Sequence, residues 1–241
     1  MNFDPKSYAD FMRTDSAAFA DAAGDNLGTR VPSCPEWTVA DLVAHLTEAH
    51  FFWRLIAERH IQDHGELDAV DPPVPEDPVQ YFLDHANQFA DLLQDEDPET
   101  PVWTWATRKN VGFIQRRMAH ETAVHRWDAQ LAAGNPQPLD GELAADGVDE
   151  FFQNFFENEA RISGNGELVH MHRTDGPGEW LIRLTQDGAQ VSHGHEKGDA
   201  AVRATASELV LLLWRRLQPD DVESFGDRAV LDRFLVNADL E

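Results

Sequence analysis

The sequence predicts two domains, an N-terminal four-helix bundle over residues 1–136 and a small C-terminal α+β domain over residues 137–241. Three observations predict this. Up to Gly134 the apolar residues recur in steps of three and four, the spacing of helices that bury one face. Beyond Gly164 and Gly166 the step falls to two, as in half-buried strands. Between them, Gly134 and Pro136 stop a long helix, which suits a boundary near Gly134 to Leu139. A chain of 241 residues can hold one large domain or two smaller ones.

The elements follow in order. Residues 7–23 form an amphipathic helix with Phe11, Ala18 and Phe19 on its apolar face. The segment to Pro35 reads as a loop. A strong helix start comes next. Thr38 suits an N-cap, Asp41 can return the capping-box bond, and Trp37 can pack on Leu42 as a hydrophobic staple. Along this second helix Leu42, His45, Ala49, Phe52 and Ile56 share a stripe, while His50 falls on the adjacent row with Val43, Leu46 and Trp53. His50 is expected at a wetter edge. Residues 63–78 are an acidic, proline-rich connection, and a third helix follows from Val79 to Leu93. Trp103 and Trp105 either line a pocket mouth or plug one end of the bundle. The fourth helix runs from Asn110 toward Gly134.

In the second half, residues 140–160 predict another helix, whose Phe151, Phe152, Phe155 and Phe156 suit packing between layers. ELVHMHRT, EWLIRLT and AQVSHGH read as strands, with DGPG and QDG as turns between them and AVRA as a short fourth strand. SELVLLLWRRL and DRAVLDRFLVN are helical, with an acidic loop between them. His170 with His172, and His193 with His195, have the spacing that puts each pair on one face of a strand. They invite a second-metal reading, but no cysteine joins them, and histidines of a solvated sheet face are the more ordinary outcome.

Composition excludes several function classes. With 44 acidic against 19 basic residues the formal charge is −25, which repels nucleic-acid phosphates and anionic membranes. No apolar run approaches the 18 residues of a membrane span, and the first residues lack an apolar signal core. The single cysteine, Cys34, forms no intrachain disulfide and suits a reducing compartment. A cytoplasmic protein, monomeric or a small homo-oligomer, is expected.

The chemistry concentrates on the fourth helix. Glu121, His125 and Asp128 share a row with Ile114, Met118 and Ala132. A Glu and a His one turn apart reach the same point beside a helix. A carboxylate turned into a bundle is costly unless it is paired or binds a metal. His45 on the second helix offers a third donor, and two imidazoles with one carboxylate make a set that zinc accepts in catalytic sites. A salt-bridged or solvent-facing pair remains open, as does a hydrogen-bonded core role for His45. The row of His120, Val124, Trp127 and Leu131 could equally face inward.

VPSCPEWTVADLVAHLTEAHFFW and RMAHETAVHRWDAQLAAG resemble the two signature segments of the mycothiol-dependent maleylpyruvate isomerase family, within the DinB-like metalloprotein superfamily. The second half, from ELVHMHRTDGPGEWLIRLTQDGAQV to FGDRAVLDRFL, is similar to that family's C-terminal domain. The resemblance implies a DinB-like bundle in which His45, Glu121 and His125 hold a divalent metal, typically zinc. It implies mycothiol, the low-molecular-weight thiol of actinobacteria, as cosubstrate, and a small electrophile as the other substrate. The thiol would add to the electrophile, giving either a transferase product or, after elimination, an isomer. Maleylpyruvate cis-trans isomerisation is the special case. Asp128 and His50 would then stand behind the ligands or meet a polar substrate group. The family also uses an arginine of its C-terminal domain, for which Arg228 and Arg233 are candidates, with Arg215 and Arg216 beside them. Cys34 need not be a nucleophile. The rival reading is a ligand-binding protein whose metal is structural or absent.

Overall fold

A computed structural model of the chain describes residues 3–67, 75–156 and 164–236. It divides into two compact units, Met1–Gln137 and Pro138–Glu241. Seven α-helices and seven strands occur among the described residues, and none of these helices is long and apolar enough to cross a membrane.

The first unit is a helical bundle built around one helix. α1 (Ser7–Gly24) and α2 (Val39–Arg59) pack on α4 (Val111–Ala132), and α3 (Pro78–Asp95) packs on α1 and α2. α4 is buried nearly all round, so both of its candidate rows face protein. Its start is set by Asn110, whose Oδ1 accepts from the Phe113 amide at 3.2 Å, and Gly134 follows its end at φ +78°. Two apolar clusters fill the bundle. One holds Phe19, Leu42, Leu46 and Phe82, and the other Met12, Ile56, Phe89, Leu93 and Met118.

The start of α2 behaves as its sequence demands. The Thr38 hydroxyl accepts from the Asp41 amide, and the Asp41 carboxylate accepts from the Thr38 amide at 2.8 Å, closing the capping box. Trp37 packs on the cluster that contains Leu42. The segment before it is not a plain loop. β1 (Arg30–Val31) and β2 (Cys34–Thr38) pair antiparallel in a short hairpin. Trp103 stacks on Trp53, with ring centroids 6.3 Å apart, and donates its amide to Ile61 O. It therefore plugs an end of the bundle rather than lining a pocket mouth. Residues 68–74, within the acidic connection, lie outside the described residues.

The second unit begins with α5 (Gly141–Phe151), continued by a π-helical turn over Phe152–Phe156. The remainder of the predicted 140–160 helix lies outside the described residues. A five-stranded mixed sheet follows, in the order β5-β4-β3-β6-β7, from β3 (Leu168–Arg173), β4 (Glu179–Thr185), β5 (Gly188–His193), β6 (Ala200–Ala204) and β7 (Glu223–Gly226). β3 and β6 run parallel, and the other neighbours antiparallel. β7 falls in the stretch expected to be a loop, where only Val222 and Phe225 offer large apolar side chains. Val169, Met171, Trp180, Ile182 and Val202 are buried, as the period of two requires. α6 (Ala206–Leu213) and α7 (Arg228–Val236) pack on this sheet. Phe151 meets Trp214 and Phe156 meets Phe234, so the phenylalanines do pack between layers.

The two histidine pairs fare differently. His170 and His172 share a face. His193 and His195 do not, because β5 ends at His193 and Gly194 takes φ +155°. His193 turns to Asp149, at 3.2 Å, and His195 to Glu179, at 2.6 Å. Period-two reasoning fails there because it needs an uninterrupted strand.

Candidate metal centre

Three side chains of the first unit converge. Glu121 and His125 stand one turn apart on α4, and His45 comes from α2, whose register the Thr38 cap sets. His45 Nε2 lies 3.3 Å from Glu121 Oε1, and His125 Nε2 lies 3.1 Å from the same oxygen. The two imidazole rings are 5.0 Å apart and nearly perpendicular. One donor atom from each of the three residues lies within 4.8 Å of the others.

Each α4 member is held from behind. His125 Nδ1 sits 3.0 Å from Asp128 Oδ2, and the Ser33 hydroxyl donates to Asp128 Oδ1 at 2.6 Å. Asp128 is fully buried. The second Glu121 oxygen accepts from Arg117, itself buried, at 3.0 Å. Burial pushes the Glu121 carboxyl up, but hydrogen bonds from His125 and His45, with the charges of His125 and Arg117, outweigh it and hold the group well below its usual range. Burial likewise lowers His125, yet Asp128 and Glu121 outweigh it and bring the imidazole to about 9. His125 is thus clasped between two carboxylates, Asp128 at Nδ1 and Glu121 at Nε2.

The donor chemistry fits a divalent ion. Asp128 occupies Nδ1 of His125 and leaves Nε2 to face the cluster, the arrangement that metal-ligating histidines use. Two imidazole nitrogens and one carboxylate oxygen suit zinc and its neighbours, and a three-ligand set keeps a position open. The cluster opens on the His45 side. The His45 side chain is 38% exposed, against 9% for His125. The Trp37 ring lies 4.9 Å from the His45 ring and walls that opening.

Other expected residues land elsewhere. His50 is not at a wet edge. It is fully buried between Phe82 and Phe89, with Nε2 2.9 Å from Thr122 Oγ1. Burial pushes its imidazole down to about 3. The stripe argument misplaced it because its row, not the row of His45, is the more buried side of α2. Asp128 stands behind His125, against its Nδ1. Arg228 and Arg233 belong to the second unit. Arg228 lies between Asp220 and Asp232, and Arg233 donates to Glu167 at 2.7 Å. Arg215 donates to Val236 O and Arg216 to Trp214 O. Sequence reasoning missed Ser33 and Arg117. Arg117 carried a signal, being one turn before Glu121. Ser33 carried none, because it meets Asp128 only through the hairpin.

Comparison with known proteins identifies the family. The model of the mycothiol maleylpyruvate isomerase N-terminal domain matches residues 10–130, and that of the MDMPI C-terminal domain matches residues 142–233. Among solved structures, a variant of mycothiol-dependent maleylpyruvate isomerase superposes with a TM-score of 0.60 at 12% identity, covering 92% of this chain and 93% of that one. A second structure of mycothiol-dependent maleylpyruvate isomerase gives 0.58 at 13% identity over the same shares. These likenesses show the fold. No curated protein sequence matches the chain.

Proposed function

The chain belongs to the mycothiol maleylpyruvate isomerase family, and from that premise we propose that it is a cytoplasmic, divalent-metal-dependent enzyme that joins a low-molecular-weight thiol, mycothiol, to a small electrophile. The observation that carries the reading is the convergence of His45 Nε2, Glu121 Oε1 and His125 Nε2, with Asp128 fixing His125 from behind.

His45, Glu121 and His125 would hold the ion. When bound, a zinc-class ion supplies Lewis acidity, which lowers the pKa of a coordinated thiol or water toward neutrality. The chain does the rest. Asp128, oriented by Ser33, keeps the His125 ring in one tautomer. Arg117 fixes the Glu121 carboxylate. Both supports lie on or against a helix packed on all sides, so the donors need little reorganisation when loaded. The half-exposed His45 edge and the Trp37 ring form the approach, and Trp37 offers an apolar wall to the reacting carbon skeleton. No protein nucleophile is needed, so Cys34, half-buried in β2, need not be one. Arg228 and Arg233 are the cations proposed for an anionic substrate group, and each would exchange an existing ion pair for it. Thiol transfer and isomerisation share the addition step and differ in whether the thiol is eliminated again. Maleylpyruvate isomerisation is one such case.

The experiment is a metal analysis joined to turnover. Purified protein is assayed for zinc, then for mycothiol-dependent conversion of a panel of small electrophiles that includes maleylpyruvate. The expected result is one ion at the site and turnover that both vanish in His125→Ala. A well-folded wild type that takes up no divalent ion there would sink the proposal. Adduct-free hydrolysis of the electrophile would instead point to water as the nucleophile.

A further inference from the structure

The outer face of the β3–β4 hairpin carries a second convergence of metal-ligating groups, unrelated to the bundle. His170 and His172 project from β3, and Glu179 from β4, where it pairs in register with His172. His195 joins them from the chain beyond β5. His170 Nε2 lies 3.0 Å from Glu179 Oε2, His172 Nδ1 3.1 Å from Oε1, and His195 Nδ1 2.6 Å from Oε2. One donor atom from each of the four lies within 4.8 Å of the others. The three ring centroids are 5.3 to 6.5 Å apart. The cluster also grades from inside to outside. The His170 side chain is 9% exposed and that of His195 77%. A cavity of about 320 Å³, lined by His170, His195, Lys197, Ala201 and Phe225, adjoins it.

We propose that His170, His172, Glu179 and His195 form a second metal site that takes an imidazole-preferring divalent transition ion of the zinc class. Three imidazoles from two segments, β3 and the chain beyond β5, converge on one carboxylate from a third, β4, which is more than a solvated sheet face requires. Gly194 is what makes this possible. Its positive φ carries His195 off the His193 side and onto the face of His170. Three imidazoles and one carboxylate exclude the hard cations calcium and magnesium, which want oxygen shells. Four protein donors close the coordination of zinc, so this site is structural where the bundle site keeps a position open. The ion would fasten the chain beyond β5, the edge strand of the sheet, to the β3–β4 hairpin.

The test uses the full chain, stripped with a chelator and dialysed against buffered micromolar Zn²⁺, with bound zinc read by elemental analysis. In a His45→Ala/His125→Ala background, which removes the bundle imidazoles, one zinc per chain is expected to remain. Adding His195→Ala, at a largely exposed position that leaves packing untouched, lowers the zinc affinity at least tenfold, and Glu179→Gln does the same. His193→Ala, on the other face, leaves the count unchanged. In the otherwise wild-type chain, His195→Ala alone lowers the count by one, whatever the bundle holds. Zinc absent from the double-alanine background, retained after His195→Ala in either background, or lost equally with His193→Ala overturns the proposal.

Discussion

Asp128→Asn isolates the support behind the bundle site without touching a donor atom. The carboxylate is fully buried, accepts from Ser33 at 2.6 Å, and sits 3.0 Å from His125 Nδ1. An amide of the same shape can satisfy only part of this. If its oxygen faces His125, the bond survives without its charge. If its NH₂ faces His125, it donates to Nδ1 and drives the ring proton to Nε2, the nitrogen meant for the ion. Loss of such a support behind a ligating histidine weakens metal affinity by about 10–100-fold, which is about 1.4–2.8 kcal/mol. The upper half of that range is expected, because no water reaches the buried group to replace the lost charge. The assay is a zinc titration of stripped protein against a chromophoric chelator, with circular dichroism to show that the fold is kept. Ser33→Ala leaves the carboxylate and removes one hydrogen bond, about 1 kcal/mol or roughly fivefold. Zinc affinity of a folded Asp128→Asn variant within threefold of wild type would refute the reasoning.

Three further outcomes concern stability. His50 stays neutral when folded, with its pKa near 3, while the unfolded chain takes a proton near 6.5. Stability therefore falls as pH drops below 6.5 and goes on falling toward 3, by about 2 kcal/mol at pH 5 from this residue. Urea midpoints at pH 7 and 5 should show that part of the loss gone in His50→Leu, and an unchanged pH slope would contradict it. Asp15→Ala removes the carboxylate partner of buried Arg126, whose Nε donates to it at 3.0 Å while Nη1 holds Gln130 and Gln137 O, and should cost about 3 kcal/mol in urea unfolding. Thr38→Ala removes the cap of α2 and should cost about 1 kcal/mol by the same measurement, with Thr38→Ser close to wild type.

Local chemistry explains what could be read from the sequence. The fold class was legible because helical and strand periods follow from which faces are buried. The α2 start was legible because a capping box is written within four residues. Two helical stripes made the meeting of His45, Glu121 and His125 a candidate, and the family resemblance singled it out from the adjoining row of His120. What was not legible depends on long-range pairing or on a single dihedral angle. Ser33 and Asp128 are 95 residues apart. β7 becomes a strand only by pairing with β6. His195 changes face through Gly194, and Glu179 becomes the hub of three histidines only once β3 and β4 are in register. His50 shows the opposite failure, since a polar residue was assigned to the wet side of α2 although the bundle holds it dry with one hydroxyl partner.

The β1–β2 hairpin has a practical consequence. It donates no ligand, yet Ser33 steadies the Asp128–His125 pair and Trp37 walls the side of His45. Its far end is locked to α2 by the Thr38–Asp41 box. Arg30 to Thr38 can therefore be treated as an exchangeable lip. A library that varies Pro35, Glu36 and Trp37 while keeping Ser33, Thr38 and Asp41 would change which molecules gain admittance, leaving the three donor side chains on the helices intact. Under the proposed function, selection for new electrophiles would start there.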